Sequence, residues 1–363
     1  MSREFIDFRI SPEETLIIKA FAVILMLLHH VLLEHLDYGP VAQGLAGTSK
    51  VCVALFVFLS GYGMTVSFPK NRDNFLDLAK TYFFFLTKRF TKFFLNYWAI
   101  FFIVVPLGVF CFGRSLETAY GANADLFASF LRDMFGLQSF ESYNTSWWFN
   151  KIILALWLLF PLFYRIMKNG LVAGCVFIFI FINPGDILYS FELVAKCLSM
   201  YVSLFCLGIF TALHSSEINK ILNTIPIRLA LLTSLLMATA FLYLRGVPLI
   251  PNFSFFRVDP FATAFTILLI VVLCRLTGLK LSFLRYTGRH SMNIYLVHMF
   301  ILGYFGGEYI SKLQSPIVIF IVLFFASLAI SIVFEWVKNK LGFYKLQNKI
   351  VSFLSRQIPS VNN

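Results

Sequence analysis

The chain has 363 residues, 59% of them hydrophobic and 13% charged, with a formal net charge of +12 and a mean hydropathy of +0.80. That composition excludes an ordinary soluble domain and indicates an all-α, polytopic membrane protein. The positive balance, which in a soluble protein would raise nucleic acid as a partner, is here read against the membrane, and no nucleic-acid partner is expected.

The first apolar run covers about residues 15–35 and is followed by Glu34-His35-Leu36-Asp37 rather than by a small-residue cleavage site, so it is expected to be a retained span. Inside it lie Lys19, His29 and His30. Ionisable groups inside a membrane-length helix are expensive and usually have a use. From Lys19 to His30 is eleven steps of about 100°, so the two side chains share a face roughly 16 Å apart along the axis, with His29 about 80° away from Lys19. A snorkelling lysine beside a structural histidine would fit the same residues. Glu34 lies one turn beyond His30 on nearly the same face and is a candidate orienting partner, as is His29.

A second span, near 49–68, carries Ser60-Gly61-Tyr62-Gly63: glycines that permit close helix approach, and hydroxyls at membrane depth. Lys88, Arg89 and Lys92 then lead into a third span near 92–112. Three cations within one helical turn suit a phosphate or pyrophosphate, although positive-inside topology produces such clusters too. The loop at 113–146 is acidic on balance, and Trp147-Trp148 at the next span fit an interfacial aromatic belt. Further spans are expected near 147–165, 171–184, 196–213, 227–244, 259–277, 289–307 and 316–337. The ninth is interrupted by Gly303, Gly306 and Gly307 and opens on Ser291, Tyr295 and His298, which share one helix face.

About ten spans result, in one domain over 1–363 with no internal repeat. With the N-terminus inside, most of the 30 Lys and Arg fall on cytoplasmic segments, so both termini are expected in the cytoplasm and the protein in the cytoplasmic membrane. Lys19 is then near the inner face and His30 in the outer half of the bilayer. The six Cys are scattered through apolar runs without ligand spacing, and neither disulfides nor a metal is expected.

Taken together these stretches resemble the integral-membrane acyltransferase family 3, the ten-span O-acyltransferases that modify surface glycans. The family's basic residue followed after ten residues by His is similar to Lys19 and His30, with Lys where many members have Arg. Its Ser-Gly-aromatic motif resembles Ser60-Gly61-Tyr62, its basic-basic-x-x-basic motif Lys88, Arg89 and Lys92, and its Gly-x-x-Ser…Tyr-Leu-x-His pattern Gly288, Ser291, Tyr295, Leu296 and His298. The chain departs from the family after the tryptophans of the fourth span: Phe149, Asn150 and Lys151 follow where many members carry acidic residues, so no role for that carboxylate transfers.

The resemblance implies transfer of an acyl group, most commonly acetyl, from cytoplasmic acyl-CoA to a hydroxyl of a surface polysaccharide or lipid-linked sugar. Acetyl-CoA is then a co-substrate and not a bound cofactor, and the partners are the lipid bilayer, the glycan acceptor and glycan-assembly proteins. His30 is the expected general base. Lys19, Lys88, Arg89 and Lys92 are the expected acyl-CoA contacts. Ser60, Tyr62, Ser291, Tyr295 and His298 are candidates for the acyl path or the acceptor site. The competing expectation is a secondary transporter or flippase-like protein of glycan export, in which a Lys/His stripe relays protons and broken spans gate the substrate.

Overall fold

A computed structural model describes residues 9–34, 38–68, 75–138, 141–182, 193–246, 255–278 and 281–357, which are helical almost throughout. The helices are α1 (Pro12–Glu34), α2 (Pro40–Ser49), α3 (Val51–Ser67), α4 (Phe75–Cys111), α5 (Leu116–Tyr120), α6 (Leu126–Met134), α7 (Trp148–Leu158), α8 (Phe160–Met167) and α9 (Gly170–Ile182). They continue with α10 (Leu193–Leu213), α11 (Ser215–Leu222), α12 (Ile227–Gly246), α13 (Phe255–Thr277), α14 (Ser282–Arg289), α15 (Ser291–Met299), α16 (Gly307–Ser311), α17 (Pro316–Lys340) and α18 (Phe343–Gln357).

Among the described residues six helices are long and apolar enough to cross a membrane, and eight if each of two bent pairs is one span. Those pairs are Thr145–Leu158 with Phe160–Met167, bent by 57°, and Tyr201–Leu213 with Ser215–Leu222, bent by 78°. Among the described residues two expected spans fall short of that length. The fifth is α9, whose 13 residues end where the described residues end. The ninth, Ser291–Tyr304, gives way to a π-helical turn at Phe300–Tyr304. Two expected boundaries also move. The second span starts at Pro40 rather than 49, because Gln43, Gly44, Gly47 and Thr48 lower the apparent apolarity of a helix they nonetheless belong to. The third starts well before Lys88, so the basic cluster lies inside α4 and does not precede it.

The chain packs as two compact units, one of Met1–Val66, Leu162–Ser291 and Leu313–Phe324, the other of Ser67–Pro161, Met292–Lys312 and Phe325–Asn363. In the first, α1 opens on a reciprocal cap: Ser11 N–H donates to Glu14 Oε2 at 2.7 Å and Glu14 N–H to Ser11 Oγ at 3.1 Å, ahead of Pro12 in the first turn. The acidic first turn, favoured by the helix dipole, is pinned by Arg275 of α13 on Glu14 at 2.8 Å and Arg285 of α14 on Glu13 at 2.7 Å. Glycines set the helix crossings. A Cβ on Gly61 would lie 2.2 Å from the Phe205 carbonyl oxygen and one on Gly208 2.2 Å from that of Phe58, so α3 and α10 touch backbone to backbone. A Cβ on Gly288 would lie 1.9 Å from the Leu16 carbonyl oxygen, which seats α14 on the turn of α1 that leads to Lys19. At the other end of the unit Gly44 of α2 meets Gly246 of α12, and Thr48 Oγ1 donates to Leu242 O at 3.1 Å.

The second unit is held by rings. Tyr97, Phe101, Tyr143, Trp147 and Phe300 form one buried cluster against α4 and α15. Within it Asp133 is buried; its Oδ2 accepts from Tyr143 N–H at 2.7 Å and from the Tyr120 hydroxyl at 3.0 Å, while the Tyr97 hydroxyl donates to its backbone carbonyl at 2.8 Å. The segment expected as a loop at 113–146 is therefore built in part into this core. The Leu296 carbonyl, one turn before the π-helical turn, accepts from Asn144 Nδ2 and Trp147 Nε1, each at 3.2 Å. Lys338, also buried, donates from Nζ to Glu335 Oε1 at 2.7 Å, to Asn293 Oδ1 at 3.3 Å and to Asn96 Oδ1, so an ammonium inside the unit is matched by a carboxylate and two amides.

Candidate active site

In the first unit the residues of interest sit on α1, α3 and the start of α15. His29 is buried, with Nδ1 2.7 Å from the Ala46 carbonyl oxygen of α2. A carbonyl only accepts, so Nδ1 carries the proton, and in the neutral imidazole Nε2 is the acceptor nitrogen. His30 is half-buried, and its ring meets that of His29 edge to face with centroids 5.1 Å apart. Lys19, eleven residues earlier on the same helix, is also half-buried. Glu34 ends α1, and its side chain lies outside the described residues.

What holds His29 continues through α2. The next carbonyl, that of Gly47, accepts from Arg245 Nη1, and Arg245 pairs with Asp259 of α13 at 2.5 Å. Both charges are buried, so the pair and the carbonyl satisfy one another where water cannot. Two successive carbonyls of α2 thus hold an imidazole and a guanidinium.

Tyr62 is buried and stacks on Phe58 with centroids 6.2 Å apart; its hydroxyl accepts from Ile10 N–H at 2.9 Å, tying α3 to the residues that lead into α1. Ser60 is half-buried and Ser291 buried. Gly61 and Gly288, which accompany them in the two motifs, are the crossing points described above. Each motif therefore combines a glycine that lets two helices approach with a hydroxyl carried beside the crossing.

In the second unit the three cations of α4 separate. Lys88 and Lys92, four residues apart, are exposed on one face. Arg89 turns away from them: its guanidinium lies 5.3 Å from the Trp157 ring centroid and 5.7 Å from that of Phe85. Tyr295 places its hydroxyl 3.0 Å from Ser146 O and 3.1 Å from Asn150 Oδ1. His298 is 0% exposed, with Nδ1 2.8 Å from the Tyr295 carbonyl oxygen, so its Nδ1 also carries the proton, here turned on its own helix.

Sequence reasoning missed Asp133, the Arg245–Asp259 pair and the Lys338–Glu335 network. For Glu335 a signal was present, an ionisable residue at the edge of an apolar run. Asp133, Arg245 and Asp259 read as ordinary loop and span-end charges, because only tertiary packing buries them. Among the described residues no cluster of His, Cys, Asp and Glu could hold a metal ion.

His29 lies on a helix long enough to span a bilayer, as do the exposed Lys88 and Lys92, whereas His298 lies on the shorter apolar helix Ser291–Tyr304. Buried imidazoles with fixed tautomers and exposed lysines so placed define a membrane protein equipped for proton transfer and for holding an anion. The family model described as an acyltransferase domain matches residues 16–336, and the chain belongs to that family: it is a multi-pass membrane acyltransferase. No curated protein and no solved structure matches it.

Proposed function

We propose that this acyltransferase moves an acyl group, acetyl in the first instance, from cytoplasmic acyl-CoA to a hydroxyl of a surface polysaccharide or lipid-linked sugar at the cytoplasmic membrane. The observation that carries the reading is the His29–His30 pair inside an apolar helix, one imidazole oriented by a backbone carbonyl and the other beside it. His30 takes the proton of the acceptor hydroxyl. The hydroxyl oxygen then bonds to the acyl carbon, the carbon–sulfur bond breaks, and the departing thiolate is protonated to coenzyme A. A positioned base of this kind contributes roughly 10²–10⁴-fold. His29 orients His30. Lys19 and the α4 cations Lys88, Arg89 and Lys92 hold the phosphates of the donor, the exposed Lys88 and Lys92 as direct contacts. Ser60, Tyr62, Ser291, Tyr295 and His298 line the path of the acyl group or the acceptor site. The N-terminus lies inside, which puts the donor cations at the cytoplasmic surface.

The bent helix pairs are an observation that suits a transporter of glycan precursors, since broken spans gate substrates. His30→Ala separates the two. In vesicles supplied with radiolabelled acetyl-CoA, the enzyme reading expects acetylation of the glycan fraction to fall about 10²-fold or more, with the melting temperature in detergent unchanged. Unchanged acetylation with lost glycan flux would favour transport.

A further inference from the structure

In the second unit α17, one of the helices long and apolar enough to cross a membrane, runs to Lys340. Gly342, at φ +69°, closes it in a turn that a larger residue would strain, and α18 starts at the next residue. The Tyr344 hydroxyl donates to Glu335 Oε2, and Lys338 Nζ lies 5.7 Å from the Phe343 ring centroid. The first turn of α18 is thereby held on the last turns of α17, and the helix packs on α4. In those last turns Trp336 is 59% exposed, an indole at the edge of a span, where headgroups begin. α18 therefore starts where that span ends.

The helix has three sides. Lys345, Leu346 and Gln347 are consecutive, hence about 100° apart around the axis, and each heads a stripe. Gln347 and Val351 are buried. Leu346 and Phe353 are 56% and 59% exposed, with half-buried Ile350 on the same side. Lys345 and Lys349 are exposed on the third side. One side is thus turned to the protein, while the apolar and the basic sides are both open. A helix of low overall apolarity with an apolar side next to a lysine side suits the boundary between acyl chains and headgroups. α18 carries Lys345, Lys349 and Arg356 and no Asp or Glu. A second copy on the same face would set lysine against lysine, whereas anionic headgroups match it.

We propose that α18 lies along the membrane surface and docks on anionic lipid, with Leu346, Ile350 and Phe353 among the acyl chains and Lys345 and Lys349 on the headgroup phosphates. Neither lysine belongs to the candidate active site, so this contact stands apart from acyl transfer.

The test uses the full-length protein in mixed vesicles of phosphatidylcholine and phosphatidylglycerol, one or the other lipid carrying a diazirine in its acyl chain. After illumination the lipid adducts are mapped by mass spectrometry, with the exposed Val333 and Trp336 of α17 as the reference. Adducts on Leu346 and Phe353 are expected at yields close to the reference. Mole for mole, phosphatidylglycerol is expected to label them more than phosphatidylcholine does. The double substitution Lys345→Gln with Lys349→Gln should lower that preference about fivefold for each lysine, and high salt should weaken it as well. Both side chains are exposed, so the melting temperature in detergent is expected to stay the same. Labelled α17 with bare α18 overturns the proposal. Cross-links from Phe353 to a second protein chain in place of lipid adducts overturn it too, and give that side to another copy. Equal labelling by the two lipids, or a preference that survives the double substitution, overturns the docking on anionic lipid.

Discussion

The two units hold a histidine by opposite means. His29 gives its Nδ1 proton to a carbonyl of another helix, at Ala46. His298 gives its own to the carbonyl of Tyr295, three residues back on the same helix. The first arrangement lasts only as long as α1 and α2 keep their crossing; the second is inherent in the helix. The same contrast runs through the packing. Backbones meet at Gly61, Gly208, Gly246 and Gly288 in the first unit, which also holds the buried Arg245–Asp259 pair and the Arg275–Glu14 pair. Rings and tyrosine hydroxyls fill the second. The lesson is that the geometry of His29, the residue proposed to orient the base, depends on distant charges, whereas that of His298 does not.

Removing one of those charges should give the largest effect. Asp259→Ala leaves the Arg245 guanidinium buried without its carboxylate, a loss of about 3–5 kcal/mol. Melting in detergent measures the loss. Because Arg245 is bonded to the carbonyl next to the one that holds His29, the ¹⁵N resonances of His29 should shift while those of His298 stay. Shifts in both, or in neither, would dissolve the contrast.

The second unit has its own charge to test. Burial pushes the Asp133 carboxyl up to about 7, against the opposing pull of the Tyr143 N–H and the Tyr120 hydroxyl. The folded form then keeps its proton over a range in which the unfolded chain, titrating near pH 4, has lost it. Its contribution to stability is therefore complete at the acid end and declines as pH rises from about 4 to about 7. Asp133→Asn cannot titrate and keeps an oxygen for both donors. Its melting temperature relative to the unsubstituted protein should rise from pH 5 to pH 7 and level off above. A difference that stays constant with pH would show that the carboxyl is already ionised when folded.

Much of the plan was legible from the residues. An apolar length of about 20 residues is a property of the chain, so the membrane class and most spans could be read directly. The motif positions could be read too, because the Lys19–His30 spacing and the glycines are local patterns. What could not be read was the meaning of each glycine and charge. Gly61 and Gly288 gain theirs from Phe205 and Leu16, far away in sequence. Arg89 belonged with Lys88 and Lys92 until the rings of Phe85 and Trp157 drew it to another face. Span lengths misled where small polar residues belong to a helix, as at Gln43 to Thr48, and where a π-helical turn ends one early, at Phe300.

The smallest expected effects come from a matched pair of glycines. Gly208→Ala puts a methyl against the Phe58 carbonyl oxygen and the Tyr62 N–H group, both backbone, so neither can move aside as a side-chain tip would. The helices must part, at a cost of about 1–3 kcal/mol. Gly303, in the π-helical turn of the second unit, has nothing within 4 Å of where a methyl would sit. Gly303→Ala meets no clash and lowers the entropy of the unfolded chain, so it should be neutral or stabilise by up to about 1 kcal/mol. Melting curves of the two variants, run side by side, read the sign directly. If Gly208→Ala melts with the unsubstituted protein, the close approach of α3 and α10 is wrong, and with it the explanation of the glycine in Ser60-Gly61-Tyr62. If Gly303→Ala proves the costlier of the two, the π-helical turn needs its glycine for a reason other than space.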